Sequence, residues 1–151
     1  MKQFLILVIL LTILLQSTLF SQNNEKFSKA LKNQISIKKS GSDYKVWIFF
    51  TDKGSNLDQK LDLAETKLTV KARERRLKNR PNKSLVDYFD IPVNQSYVNQ
   101  ISANLLKLRH KSKWLNAVSA QVTLRQLDEL HKMDFVKKID VVHFSRVPNL
   151  E

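Results

Sequence analysis

The sequence predicts an α+β domain in which helices cover one face of an antiparallel β-sheet. Residues 44–51 are an aromatic and β-branched run, which is typical of a buried central strand. Residues 105–122 hold two neighbouring strand-like runs, and residues 124–133 carry apolar side chains at helical spacing. A last apolar run at residues 135–144 completes the set of elements. A chain of 151 residues has room for one such domain.

The first 21 residues have the pattern of a secretory signal peptide. Lys2 supplies a positive charge, residues 4–15 are almost entirely apolar, and small residues lead to an expected cleavage after Ser21. An apolar run this short is below the roughly 20 residues that span a bilayer, so we expect cleavage rather than anchoring. The sequence contains no cysteine, which excludes disulfides and thiolate metal sites and argues against a lipoprotein anchor. The mature protein is therefore predicted to be secreted, either to the periplasm or outside the cell.

The folded domain is predicted to begin after a polar segment. Residues 22–43 are expected to form a flexible lead-in with at most one weak helical turn, because polar side chains dominate them. The strand at residues 44–51 has large apolar side chains on both faces, so we expect both faces to be buried. Asp52, Lys53 and Gly54 then end this strand with turn-forming residues.

Residues 57–80 are predicted to form a helix in one or two pieces. The apolar positions that share its buried side are Leu61, Ala64, Leu68 and Ala72. Pro81 marks the expected end of the helix. The basic cluster at residues 73–76 is interpreted as a solvated helix face, in which Glu74 pairs with neighbouring arginines.

A helix and two strands are predicted next along the chain. Asn94 is placed to cap a helix that runs through residue 104. Residues 105–111 and 115–122 should form two adjacent antiparallel strands. Trp114 precedes the second of these strands and is expected to be largely buried. On that expectation Trp114→Ala would cost about 3 to 5 kcal/mol, enough to unfold a marginal domain.

The final helix and strand complete a recognisable order. Thr123 and Gln126 have the spacing of a capping box before a helix that ends near residue 134. Residues 135–144 form the last predicted strand. If the early helices act as one crossover, residues 44–144 have the β-α-β-β-α-β order of a ferredoxin-like sandwich. Residues 145–151 would then be a C-terminal tail.

The charge of the chain favours negatively charged partners. The net charge of +12 and pI of about 10.0 would suit nucleic acid, an anionic membrane surface or an acidic protein. Trp47 and Phe49 share one strand face, as base-stacking residues of RNA-binding sheets do, but the signal peptide and the missing RNA-binding motif argue against nucleic acid. A secreted basic module that binds an anionic polymer or membrane surface remains an alternative. Its binding should weaken steeply with salt.

The sequence predicts no catalytic residue, no cofactor and no metal site. The three histidines, His110, His131 and His143, form no pair at metal-ligand spacing. Two glycines are too few for a phosphate-binding loop, and no serine nucleophile motif is present. The carboxylates are scattered singly along the chain. We therefore expect a protein that is not itself an enzyme.

Five segments, taken together and in order, resemble the N-terminal pro-region of secreted subtilisin-like serine peptidases, especially the type common in Bacteroidetes. The segments are VWIFFTDKG at 46–54, KARERRL at 71–77, DIPVNQSYVNQI at 90–101, KWLNAVSAQVT at 113–123 and LDELHKMDFVKKIDVV at 127–142. The resemblance implies a ferredoxin-like pro-domain that acts as an intramolecular chaperone and a transient inhibitor of a catalytic domain. It also implies that the sheet packs on the catalytic domain and that the C-terminal tail lies in the active-site cleft, as an extended strand.

The sequence departs from the family in one respect. The Asp, His and Ser of a subtilisin-like triad, which should follow such a pro-region, do not occur before Glu151. The sequence is therefore expected to be either a fragment of a longer precursor, which its end just after the last predicted strand favours, or a free-standing pro-domain. The expected partner is a catalytic domain in the same precursor, with membrane contact only through the signal peptide during export. The tail residues expected to approach the cleft are Ser145, Arg146, Val147 and Pro148.

Overall fold

The computed structural model describes residues 26–38, 41–80 and 83–143. Within them the fold is α+β, as predicted. The helices are α1 (Lys29–Ile37), α2 (Leu57–Thr66), α3 (Val70–Asn79), α4 (Gln95–Ser102) and α5 (Leu124–Leu130). The strands are β1 (Tyr44–Phe50), β2 (Lys107–Ser112), β3 (Ala117–Val122) and β4 (Val136–Val141), and a 3-10 turn covers Tyr88–Asp90. The predicted signal peptide at residues 1–21 lies outside the described residues. No described helix is long and apolar enough to cross a membrane.

The four strands form one sheet in the order β2-β3-β1-β4. Every neighbouring pair is antiparallel. Ile48 of β1 pairs with Val118 on one side and with Ile139 on the other. The central position predicted for the first strand is therefore confirmed, and so is the antiparallel pairing of β2 with β3.

One face of the sheet encloses the hydrophobic core together with three helices. Every second side chain of β1, from Tyr44 to Phe50, is buried. These side chains pack in one cluster with the buried residues of α1, α4 and α5, which are Leu31, Val98, Ile101, Leu127 and Leu130. Full burial of an aliphatic side chain contributes roughly 1.5 to 3 kcal/mol, so this cluster is the main source of stability.

The N-terminal caps that the sequence predicts are present. The hydroxyl of Thr123 accepts a hydrogen bond from the amide of Gln126, whose side chain accepts one from the amide of Thr123. Asn94 accepts a hydrogen bond from the amide of Ser96 at the start of α4. These bonds satisfy amides that have no partner inside the helix, and they fix where α4 and α5 begin.

The predicted helix at residues 57–80 consists of two short helices. A break after Thr66 separates α2 from α3, and the hydroxyl of Thr69 caps α3 by accepting from the amide of Ala72 at 3.2 Å. Neither helix has a buried residue. Apolar burial therefore contributes much less to the position of this pair than to that of α4 and α5.

The described part of the predicted flexible lead-in takes part in the fold. Phe27 forms a parallel bridge with Ile139 at the β4 edge of the sheet, and the amide of Ser28 donates to the carbonyl of Ile139 at 2.9 Å. The helix α1 follows, with Leu31 fully buried in the core. Phe27, Leu31 and Ile35 recur at helical spacing, but this signal is weak among so many polar residues. The sequence therefore indicated a mobile segment where the structure has a packed one.

The connection between β2 and β3 differs from the prediction. Residues 113–116 form a turn, so β3 begins at Ala117 and not at residue 115. Trp114 lies at the tip of this turn with 59% of its surface exposed. The expectation that Trp114 is buried is therefore wrong. The apolar run Trp114–Leu115 resembled the start of a buried strand, and no glycine or proline marked the turn.

Candidate docking surface

The face of the sheet opposite the core receives no buried side chain from any described helix. Its centre is formed by Lys45, Trp47 and Phe49, which alternate with the core residues of β1. Their partners across β3 are Gln121, Ser119 and Ala117, and those across β4 include Asp140 and Lys138. We call the surface of these eight residues the open face.

The open face combines large, partly exposed side chains on β1 with small, buried side chains on β3. Trp47 pairs with Ser119 and Phe49 with Ala117, so large side chains on β1 stand beside small ones on β3. Ser119 and Ala117 are buried, because the larger neighbours exclude solvent from them. Trp47 and Phe49 are only partly buried, so the prediction that β1 is buried on both faces is wrong for this side. The two aromatic rings, rather than the small residues of β3, are therefore what this face offers to a partner.

Beyond Phe49 the open face continues into an apolar patch at one end of the sheet. We call this surface the end patch; its residues are Tyr88, Phe89, Trp114 and Leu115. Phe89 is 54% exposed and Leu115 is 49% exposed. All four residues line one shallow cleft together with Phe49. The end patch and the open face are therefore one continuous surface.

Hydrogen bonds of Asn116 tie the turn that carries Trp114 and Leu115 to the end of β1. Asn116 has a φ of 47°, a left-handed conformation that asparagine tolerates better than most residues. Its side-chain amide donates to the carbonyl of Phe50 at 3.3 Å and to that of Asp52 at 2.7 Å. Its own carbonyl accepts from the amide of Phe50 at 2.9 Å. The exposure of the turn is therefore imposed by its hydrogen bonds.

Lys53 joins the loops that carry the end patch. Its side chain is fully buried, and its ammonium donates to the carbonyls of Tyr88 at 2.6 Å, Ile91 at 2.5 Å and Lys113 at 3.0 Å. The ammonium also lies 4.6 Å from the centre of the Tyr88 ring. Burial, with the nearby charge of Lys113, lowers the pKa of Lys53 from its ordinary value. We call the segments joined by Lys53 the loop cluster; they are residues 51–54, 85–91 and 113–116.

Asp90 links the loop cluster to α3. Its carboxylate accepts two hydrogen bonds from the guanidinium of Arg76, at 2.7 and 2.9 Å, and one from the ammonium of Lys113 at 3.2 Å. Only 7% of the Asp90 side chain is exposed. The hydrogen bonds from Arg76 hold the pKa of Asp90 well below its usual range. Arg76 also donates to the carbonyl of Leu85, so this one side chain fastens α3 to the loops.

Basic side chains border the end patch on two sides. On the side of α3 they are Arg75, Arg76 and Arg80, which line a cleft of about 380 Å3 that Phe89 and Trp114 also line. On the side of β4 they are Lys137 and Lys138. The acidic residues of the first cleft are already paired, Asp87 with Arg80 and Asp90 with Arg76. The border of the end patch therefore carries an excess of positive charge.

The basic cluster at residues 73–76 lies on α3, and its side chains are exposed except for Arg76. Arg73 pairs with Glu65 at 3.3 Å, and Arg76 pairs with Asp90. The predicted solvated face is present, but the acidic partners come from outside the cluster rather than from Glu74. These pairs reduce the charge that this helix offers to an anionic surface.

The predicted tail residues Ser145, Arg146, Val147 and Pro148 lie outside the described residues. The last described residues follow β4, and the amide of Val142 donates to the carbonyl of Lys45 at 2.9 Å. Lys45 lies near the start of β1, whereas the end patch lies beyond its last residue, Phe50. The chain therefore leaves the sheet at the end opposite the end patch.

The side chains that could bind a metal ion are scattered over the described part of the chain. The described residues contain no group of three or more His, Cys, Asp and Glu side chains that could hold a metal ion. His131 is buried against Phe27, with ring centroids 5.4 Å apart, and His110 and His143 are exposed and separate. What the geometry provides is a partly apolar surface with a positive border.

Comparison with protein families shows which type of domain the chain contains. The family model of the peptidase S8 propeptide domain of Bacteroidota matches residues 45–150. The chain belongs to this family. The resemblance to the pro-region of subtilisin-like peptidases is therefore confirmed, and such propeptide domains have no catalytic activity of their own. Searches among curated proteins and among solved structures gave no significant match.

Two features of this S8 propeptide domain are not predicted by the sequence. The burial of Lys53 has no sequence signal, because a lysine after a strand is usually exposed. The end patch is not predicted by the sequence, because Leu115 is expected to begin a strand and Trp114, just before it, is expected to be buried. Asn116 is the one residue that could have indicated the turn, since asparagine is enriched in the left-handed conformation.

Proposed function

We propose that the chain is the pro-region of a secreted subtilisin-like serine peptidase and that it acts as an intramolecular chaperone and transient inhibitor of the catalytic domain. Membership of the S8 propeptide family supports this role. The sheet order β2-β3-β1-β4 also agrees with the ferredoxin-like arrangement that the resemblance implies. A catalytic domain in the same precursor is the proposed partner, and a signal peptide at residues 1–21 directs export.

The observation that carries the proposal is the open face. A sheet in a monomeric domain normally exposes polar side chains on its uncovered side, whereas this one presents the partly exposed rings of Trp47 and Phe49. Docking of the catalytic domain on this face would bury the two aromatic rings. It would give the folding catalytic domain a preformed apolar template.

Inhibition is assigned to the tail. The last described residues of the chain lie beside Lys45, at one end of the open face. In this proposal the segment Ser145, Arg146, Val147 and Pro148 lies in the active-site cleft as an extended strand, with main-chain hydrogen bonds that resemble those of a product. The domain would hold the tail at high effective concentration near the cleft.

An inhibition assay with the cognate S8 catalytic domain tests the proposal. The complete chain should slow hydrolysis of a peptide substrate at micromolar concentration and raise the yield of active enzyme on refolding. A variant that ends at His143 should lose at least about tenfold in inhibition, since it lacks the tail, and should still assist refolding through the open face. If the complete chain neither inhibits nor assists refolding, the proposed function is wrong.

A further inference from the structure

We propose that the end patch is a second contact surface for the catalytic domain, which meets it with an apolar pocket bordered by acidic side chains. The inference rests on the proposed function and extends it, because neither the tail nor the open face requires the loop cluster. The contact would lie at the end of the sheet opposite the tail.

The backbone segments that carry the exposed rings are held by hydrogen bonds. Trp114 lies in a turn whose ends are fixed by the hydrogen bonds of Asn116 and by the bond from Lys53 to the carbonyl of Lys113. Phe89 lies in a 3-10 turn whose start is held by a capping box, in which Asp87 accepts from the amide of Phe89 and Asp90 accepts from the amide of Asp87. Large apolar side chains that are exposed on a fixed backbone suit binding anchors, because no backbone entropy of the turn is lost when they bind.

The end patch is continuous with the open face. Phe49 belongs to the open face, and it lines the same shallow cleft as Phe89, Trp114 and Leu115. A partner that covers Phe49 therefore reaches the edge of the end patch without crossing a polar gap. For this reason we assign both surfaces to one partner, the catalytic domain.

The charge at the border selects the chemistry of the partner. Arg75, Arg80, Lys137 and Lys138 surround the apolar centre, and the acidic residues among them are already paired. A complementary surface would present carboxylates around an apolar pocket, which favours the correct orientation and speeds association at low salt. Arg80 and Lys138 already pair with Asp87 and Asp140, whereas Arg75 and Lys137 form no ion pair with the described residues. A neutral or basic partner surface would leave these last two cations without compensation.

Two contacts at opposite ends of the sheet would fix the orientation of the domain on the enzyme. The seven residues of β1 span roughly 20 Å between the tail end and the end patch. A tail in the cleft alone would let the domain pivot, whereas a second contact at this distance would prevent it. The end patch would then determine how accurately the open face meets the folding catalytic domain.

Fluorine NMR of the complex tests the inference on the unmodified sequence. The chain contains two tryptophans, so labelling with fluorotryptophan gives one signal for Trp47 on the open face and one for Trp114 in the end patch. The variant Trp47→Phe assigns them. Addition of unlabelled catalytic domain should shift both signals. A shift of Trp47 alone would overturn the inference while leaving the proposed function intact, and a shift of neither would contradict both.

Two matched leucine variants measure how much the end patch contributes to inhibition of the catalytic domain. Leu115 lies in the end patch with 49% of its surface exposed, and Leu124 lies at the start of α5 with 44% exposed. Leu115→Ala should weaken inhibition of the catalytic domain by about tenfold, and Leu124→Ala by less than about twofold. Circular dichroism and thermal melting of each free variant establish that it is folded. Equal inhibition by the two folded variants would contradict the proposal.

Discussion

The hydrophobic core and the loop cluster are stabilised by different forces. In the core the buried residues of α4 and α5 are apolar, and Leu127 and Leu130 are fully buried against the sheet. In the loop cluster the central groups are the ammonium of Lys53 and the carboxylate of Asp90, held by carbonyls and by two cations. Apolar packing depends on area and volume, whereas the polar contacts depend on direction and charge.

This difference shows what each region is suited to do. Apolar burial gives most of the folding free energy but leaves many packings nearly equal in energy. Buried hydrogen bonds contribute less net stability, yet they allow few alternative geometries, because a misplaced partner leaves a polar group unsatisfied. The loop cluster therefore holds Phe89 and Trp114 in fixed positions at a modest gain in stability. Its arrangement should also respond to pH, through the carboxylate of Asp90.

The largest expected effect is in the core. Leu127→Ala removes a fully buried side chain from α5 and should lower the free energy of unfolding by about 2 to 5 kcal/mol. Urea denaturation at neutral pH measures the change. Leu124→Ala, on the exposed side of the same helix, is the control and should cost less than about 1 kcal/mol. Similar losses in the two variants would show that α5 does not pack as described.

Asp90→Asn tests the loop cluster and should have the next largest effect. The substitution keeps the shape of the side chain but leaves Arg76 and Lys113 without their shared anion. Breaking a buried pair from one side costs about 3 kcal/mol. Asp128→Asn, which changes an exposed carboxylate on α5, is the control. If Asp90→Asn were as stable as Asp128→Asn, the ion pairs of Asp90 would contribute nothing to the fold.

Asp90 also makes the stability of the loop cluster depend on pH. Because the pKa of Asp90 is lower in the folded state than in the unfolded chain, its stabilisation is complete above the unfolded pKa of about 4. The stabilisation is lost progressively as the pH falls through the folded value. Urea denaturation at pH 7, 4 and 3 should therefore show a smaller decline for Asp90→Asn than for the unmodified chain. Parallel declines would contradict the low pKa of Asp90.

The two regions also differ in how well the sequence predicts them. Core elements follow from local patterns: the alternation in residues 44–50 and the Thr123–Gln126 capping box are visible in a few neighbouring residues. The loop cluster depends on contacts between distant residues, such as Lys53 with Tyr88 and with Lys113. No periodicity indicates these contacts. Family resemblance predicted the role of the domain, but not the surface at its far end.

The sequence predicts the open face less well than the core and better than the loop cluster. The sequence showed that β1 carries large side chains on both faces, and the simplest explanation was a strand buried on both sides. The structure shows that Trp47 and Phe49 are only partly covered, because no described helix contributes a buried residue to that face. An apolar pattern alone does not distinguish burial within the domain from burial against a partner. Exposure in the folded domain makes that distinction.

The smallest expected change in stability concerns Trp114, which the loop cluster positions but does not use for packing. Trp114 has 59% of its surface exposed, and the ammonium of Lys113 lies 4.4 Å from the centre of its ring. Trp114→Ala should therefore lower the free energy of unfolding by only about 0.5 to 1 kcal/mol. Thermal melting of the free chain measures this loss. A loss of about 3 kcal/mol or more would mean that Trp114 is a packed residue after all. A small loss in the free chain, together with weaker binding to the catalytic domain, would separate the two tasks: the core keeps the domain folded, and the loop cluster presents Trp114 to a partner.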